Sequence, residues 1–181
     1  QANGLLAKKN KDIIDSVRYA SRIQKAILAD LNVVTHEFED AFVFFQPKDI
    51  LSGDFYWYFK CKDSNAQVII AADCTGHGVP GAFMTVMAND FLNEIIAERG
   101  LMTPSQIIEE LDKKVRSTLQ ENKTDGLDIA ILLIDGNQET ITYAGARNPL
   151  YYVRNGELKQ IKATRRSIGG NLKMSQKVKK I

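Results

Sequence analysis

Residues 54 to 73 most constrain what this chain can become. The run "DFYWYFK" (54–60) and the run "QVIIAA" (67–72) are both rich in residues that favour strands, and "KDSN" between them reads as a turn. Asp54 opens the first run and Asp73 follows the second, although strands usually exclude aspartate. A tight turn at Asp63-Ser64 sets Asp54 directly opposite Asp73 on one face. Their Cβ atoms are then about 4.5–5.5 Å apart. A slip of one residue would throw Asp73 onto the other face, so the pairing depends on that turn.

Two like charges directly opposed are destabilising unless something intervenes. One carboxyl can stay protonated, a Lys or Arg can sit between them, or a divalent cation can bind. The first suits an acid–base dyad, and the third suits the hard oxygen donors of a Mg²⁺ or Mn²⁺ site. A strand-end aspartate that only caps a turn is the plain alternative. The segment after Asp73, "CTGHGVPGAF", is a glycine loop leading into a helix. Gly76 and Gly78 allow backbone to approach an ion or a phosphate, and a helix start near Gly81 favours an anion. His77 in that loop has three readings: ligand, proton shuttle or hydrogen-bonded loop brace, the last being the commonest for a loop histidine. Lys48, six residues before Asp54, reaches the same side along an extended chain, either as a phosphate contact or as a solvated lysine. Asp128 either faces the site or caps its strand. Cys74 has no basic neighbour in sequence to lower its pKa and make it a nucleophile.

The remaining pattern separates into blocks. Residues 5–31 read as one helix. Its heptad row Leu6, Ile13, Ala20 and Ile27 is apolar, while the row Asn10, Val17, Gln24 and Leu31 is mixed. That helix either lies on its own domain or forms a dimer seam or a rod from an upstream sensor. "AFVFFQ" (41–46) reads as a short buried strand and 81–98 as a helix. The next helix opens on a capping box of Thr103 and Gln106 with Pro104 at its first position. Strands follow at 127–135 and 140–146, then a hairpin over 149–162 around Asn155-Gly156. The apolar content of 67–72 and 129–134 suggests strands buried on both sides. Helices and strands in segregated blocks argue α+β rather than α/β.

A net charge of +2 argues against a nucleic-acid surface, and no apolar run reaches the ~20 residues of a membrane helix. Two cysteines do not make a disulfide framework, so a reducing, cytoplasmic setting is expected. The chain starts without Met and stops at Ile181 without a cap, which reads as a piece of a longer protein.

"PKDILSGDFYW", "AADCTGHGVPGAFMTVMANDFLNEI" and "TYAGARNPLYYVRNGEL" together resemble the SpoIIE-like branch of the PPM (type 2C) metal-dependent Ser/Thr protein phosphatases, over about Ile13 to Gly170. The resemblance implies an antiparallel β-sandwich flanked by helices (α-β-β-α), with residues 1–31 as a linker helix and 32–181 as the phosphatase domain. It implies two Mn²⁺ or Mg²⁺ ions held by Asp54, Asp73 and the backbone carbonyl of Cys74, with the glycine loop at Gly76 to Gly78. It implies hydrolysis of phosphoserine or phosphothreonine proteins by metal-activated water. The implied partners are an anti-anti-sigma-type regulator and an upstream sensor domain; the heptad reading adds a second copy bound through the N-terminal helix. Where the family has "AGHNP" this chain reads "AGARN", with Ala146 and Arg147. Further family aspartates come from a later "DG" segment that the chain does not reach. The expectation is therefore an incomplete site and an impaired or inactive chain. Two rivals stand beside the phosphatase: a non-catalytic module that binds a phosphoprotein or dimerises, and a metal nuclease, which the charge disfavours.

Overall fold

The structure is a computed structural model of the 181-residue chain and describes residues 2–28, 31–62, 64–100, 103–119, 125–137, 139–170 and 179–180. Its first element, α1 (Ala2–Ile27), is exposed all round over residues 3–16 and docks only through its last turns. Leu6 and Ile13 of the apolar heptad row are 59% and 61% exposed. Gln24, from the mixed row, is buried against the chain's own domain. The helix ends at Ile27, four residues earlier than its periodicity suggests, and a short α2 (Leu31–His36) follows.

β1 (Asp54–Lys60) and β2 (Ala66–Cys74) form the expected antiparallel hairpin. Asp63 of its turn lies outside the described residues. A helical block follows: α3 (Gly78–Leu92), a wide π-helical turn (Asn93–Glu98) and α4 (Pro104–Thr118). β3 (Leu127–Asp135) and β4 (Thr140–Ala146) return the chain to the sheet. β5 (Leu150–Arg154) and β6 (Glu157–Ile161) make a separate ribbon, whose turn residues Asn155 and Gly156 have φ of 57° and 76°. Two positive φ values are what a two-residue hairpin turn of the right twist requires. β7 (Lys179–Lys180) completes a sheet ordered β1-β2-β3-β4-β7, antiparallel throughout. The chain is thus α+β, with an antiparallel sheet and helices.

The core lies between this sheet and the helical block. Val68, Ile70, Ile129 and Ile131 point from the sheet into a cluster with Leu92, Ile95, Ile108, Leu111 and Val115, all fully buried. The alternate residues do not share that environment: Ile69 and Leu132 are half-buried and Ala71 is exposed. The expectation of strands buried on both sides is therefore corrected to one closed face.

Two further readings are corrected. Residues 41–46 form no strand, and Phe42 and Phe44 are 88% and 82% exposed. The segment keeps the alternation of a strand, with Val43 and Phe45 half-buried, but pairs with no ladder among the described residues. At α4 the chain enters the helix from extended Thr103 into Pro104, yet the Thr103 side chain makes no capping bond, so the capping box is not formed. The backbone starts the helix instead, Ile107 N–H donating to the Thr103 carbonyl at 3.0 Å.

Gln24 is the bolt between α1 and the body. Its Nε2 donates to the Ser52 carbonyl at 2.6 Å, and its Oε1 accepts from Ser52 N–H at 3.1 Å. Replacing Gln24 by Ala removes the partner of a buried N–H, at a cost of about 1–3 kcal/mol. Urea denaturation should show this loss for Gln24→Ala and essentially none for Lys25→Ala on the exposed side of the same helix.

Candidate metal centre

Asp54 and Asp73 are Cα partners in the β1–β2 ladder, the register that a turn at Asp63-Ser64 gives. Asp73 is also the partner of Asp128 on β3. Three carboxylates therefore stand in a row across three strands at one end of the sheet. Partial burial raises the pKa of Asp73, and the charge of Asp54, a hydrogen bond shared with it and the charge of Asp128 raise it further. Asp73 is thus pushed towards its protonated form, the direction expected where like charges are held close. Asp128 is differently placed. Its Oδ1 accepts from the Ser167 hydroxyl at 2.5 Å, and its Oδ2 lies 3.3 Å from Arg147 Nε.

Glycines and a threonine fix the strand ends. Cys74 N–H donates to the Gly53 carbonyl at 3.0 Å, locking the approach to Asp54 onto the exit from Asp73. Thr85 on α3 sits beneath, its hydroxyl within 3.1 Å of the carbonyls of Ser52, Gly53 and Gly81. A Cβ on Gly53 would stand 2.6 Å from the Gly76 carbonyl oxygen and 2.9 Å from that of Cys74. A Cβ on Gly81 would also meet the Gly76 oxygen at 2.6 Å. Only glycine at both positions lets the loop and the two strand ends close on one another. Ser52 Oγ accepts from Asp54 N–H at 3.0 Å.

Gly76 and Gly78 have φ of 92° and 63°, and α3 begins at Gly78 rather than near Gly81. His77 braces the loop: its Nδ1 lies 2.8 Å from Asp49 Oδ2, and both side chains are largely exposed. Lys48 is exposed among the bends of 48–51 and does not line the carboxylate cleft. That cleft, about 350 Å³, is bounded by Asp54, Asp73, Tyr56, Ala71, the 43–46 segment and Asn148. The Cys74 thiol is buried and its pKa is pushed up to about 12, chiefly by burial, so it stays protonated and unreactive at neutral pH.

Several of these residues gave no signal in sequence. Gln24, Ser52 and Thr85 act through backbone contacts at sequence separations of 28 to 33 residues, which no local pattern reveals. Tyr143 donates to the Asn148 carbonyl at 2.5 Å and shapes the cleft wall, and a Cβ on Gly145 would collide with its hydroxyl. The tell-tale was present only as "YAG" before "NP".

The donor set here is two carboxylates with neighbouring backbone carbonyl oxygen. That suits a hard divalent cation which keeps several waters. Among the described residues no group of three or more His, Cys, Asp or Glu side chains forms a fuller cage. The fit is to an open, water-rich site.

Solved structures place the fold. The SiaA-PP2C domain of Pseudomonas aeruginosa is 34% identical, with a TM-score of 0.85 over 97% of this chain and 69% of that one. The PP2C phosphatase domain of Bacillus subtilis SpoIIE, with a fragment of its regulatory domain, is 15% identical, with a TM-score of 0.61 over 72% of this chain and 38% of that one. RsbX in complex with magnesium is 19% identical, with a TM-score of 0.55 over 72% of this chain and 60% of that one. No curated protein sequence matches the chain significantly. The architecture is that of the PP2C-type phosphatase domains. The profile of Stage II sporulation protein E (SpoIIE) matches residues 63–176, and the chain belongs to that family.

The opposed carboxylates set a pH dependence. A raised folded-state pKa means that ionising Asp73 costs more in the folded protein than in the unfolded chain. In metal-free protein this cost is absent below the ordinary carboxylate range, grows as pH rises towards the raised pKa and levels off above it. Thermal melts in chelator should therefore show Asp73→Asn to be more stable than the unmodified chain at neutral pH, with the difference vanishing in acid.

Proposed function

We propose that this chain is a metal-dependent protein serine/threonine phosphatase domain of a bacterial signalling protein. The register of Asp54 against Asp73 carries the reading. Both residues would serve as ligands rather than as acid or base, with the Cys74 carbonyl as a third donor and Mn²⁺ or Mg²⁺ as the ion. Held by Asp54, Asp73 and the Cys74 carbonyl, a divalent pair would supply water activation and charge neutralisation at the phosphoryl oxygens. The chain's own part is positional. The Gly53–Gly76–Gly81 contact and Thr85 hold the two carboxylates at one spacing, and the cleft beside them admits a phosphorylated side chain. Gly76 to Gly78 are the residues proposed to meet the phosphate, and Lys48, which lies outside the cleft, would reach it only by extending its exposed side chain. The buried Cys74 thiol, protonated at neutral pH, takes no covalent role in this reading.

A second reading is a non-catalytic module that binds a phosphoprotein or dimerises. It is favoured by one observation: two carboxylates remain for an ion, while Asp128 is held by Arg147 and Ser167. On that ground the chain alone should bind metal weakly. Titration with Mn²⁺ followed by its electron paramagnetic resonance signal, together with Mn²⁺-dependent hydrolysis of p-nitrophenyl phosphate, decides between the two. Binding and turnover that both disappear in Asp73→Asn support the phosphatase. Metal binding without turnover supports the second reading, and binding that persists in Asp73→Asn removes the metal role.

Partners follow from the same reading: a phosphoserine or phosphothreonine protein, of the anti-anti-sigma type in the resemblance, an upstream sensor, and a second copy. The two free thiols suit a cytoplasmic setting. No described helix is long and apolar enough to cross a membrane. The exposed apolar residues Leu5, Leu6, Ile13 and Ile14 of α1 are the proposed dimer surface. Sedimentation equilibrium should show a dimer that dissociates in Leu6→Glu/Ile13→Glu; a mass that does not change between the two proteins counts against the seam.

A further inference from the structure

The segment 147–149 is a wall between two clefts. On one side Asn148 lines the carboxylate cleft. On the other, Arg147 and Pro149 line an open cleft of about 580 Å³ whose further charged residues are Lys162 and Arg165. Among the described residues, three cations and no carboxylate line this second cleft. In a chain of net charge +2, that is a local asymmetry rather than a general basic character.

The cleft is built rather than accidental. Arg147 N–H donates to the Thr164 carbonyl at 2.8 Å, and Thr164 N–H donates to the Gly145 carbonyl at 2.9 Å. These bonds tie the irregular segment that follows β6 and carries Lys162 and Arg165 to the end of β4. Arg147 holds φ at 60°, a conformation unfavourable for a residue with a Cβ and usually kept where surrounding structure enforces it. Its Nε faces Asp128, engaging one of the five guanidinium donors. Lys162 and Arg165 are exposed and make no ion pair among the described residues. Among the described residues, then, the Lys162 and Arg165 charges meet no carboxylate, while Arg147 is shared with Asp128.

We propose that the Arg147–Lys162–Arg165 cleft receives acidic side chains flanking the phosphorylated residue of the protein substrate. The substrate class is then a phosphoserine or phosphothreonine with Asp or Glu about three to five residues away, the length of extended chain that steps over a three-residue wall. This rests on the phosphatase reading for what occupies the first cleft. Arginine and lysine recognise carboxylates through charge-assisted bonds, and at an exposed cleft such contacts give selectivity that salt weakens.

The test uses fluorescence polarisation with two labelled phosphoserine peptides, one flanked by Asp and Glu and one by Ala. The chain should bind the acidic peptide about tenfold more tightly at low salt, as a few exposed ion pairs would give. Lys162→Ala/Arg165→Ala should erase most of that preference, and Lys162→Glu/Arg165→Glu should reverse it. Equal binding of the two peptides, no binding of either, or a preference that survives in the double variants overturns the proposal. So does a single-stranded oligonucleotide that binds the cleft more tightly than the acidic peptide. Hydrolysis of p-nitrophenyl phosphate, which has no acidic flank, reports on the phosphatase reading separately. If that activity is absent while the acidic preference stands, the catalytic reading fails and the docking cleft remains.

Discussion

The organisation of this domain follows from holding two carboxylates opposite one another across β1 and β2. In a flexible hairpin the repulsion would be relieved by fraying. Here it is not, because each end is anchored separately. Asp73 is set by a β2 strand paired on both edges, with β1 on one side and β3 on the other. Asp54 is set by Ser52, whose backbone is gripped by Gln24 of α1 and Thr85 of α3. With both supports fixed, a proton or a cation is what remains to relieve the charge. The raised pKa of Asp73 shows the proton's share of that role.

Close packing of backbone does the holding, and this explains why the glycines lie where they do. Gly53 and Gly81 come from different elements and meet at the Gly76 carbonyl, where a Cβ on either would overlap it. A methyl group there would separate the strand end from the helix start, with no direct effect on any charged group. Sub-ångström displacement of ligands is enough to impair a metal site, so steric fit at these glycines bears on chemistry as much as on stability.

Sequence reasoning reached the hairpin register because a short turn and a two-residue period leave one arrangement open. It reached α4 and the β5–β6 ribbon for the same reason, since Pro104 and Asn155-Gly156 act locally. It misjudged 41–46 because strand character is decided by a partner: the alternation of Val43 and Phe45 against Phe42 and Phe44 is real, but no ladder accompanies it. It left α1 open between a helix on its own domain and a dimer seam; Gln24 docks the last turns onto the domain, while Leu6 and Ile13 stay exposed. The braces at Ser52, Thr85 and Asp49 were invisible because each joins residues about 30 positions apart in sequence through hydrogen bonds that no local pattern reveals.

The third carboxylate clarifies the other two. Asp128 stands next to Asp73 in the ladder and faces the same electrostatic difficulty, which the chain resolves internally with Arg147 and Ser167. To place Arg147 there the backbone adopts a positive φ at a residue that is not glycine, a conformation stabilised by its bond to Thr164. No comparable cation is supplied to Asp54 or Asp73: among the described residues neither forms a salt bridge. A fold able to neutralise one member of the row with its own arginine leaves the adjacent pair to a charge from outside. The opposed aspartates are thereby distinguished from Asp128, whose charge is met inside the chain, and the strained arginine that meets it also lines the basic cleft on the far side of Asn148.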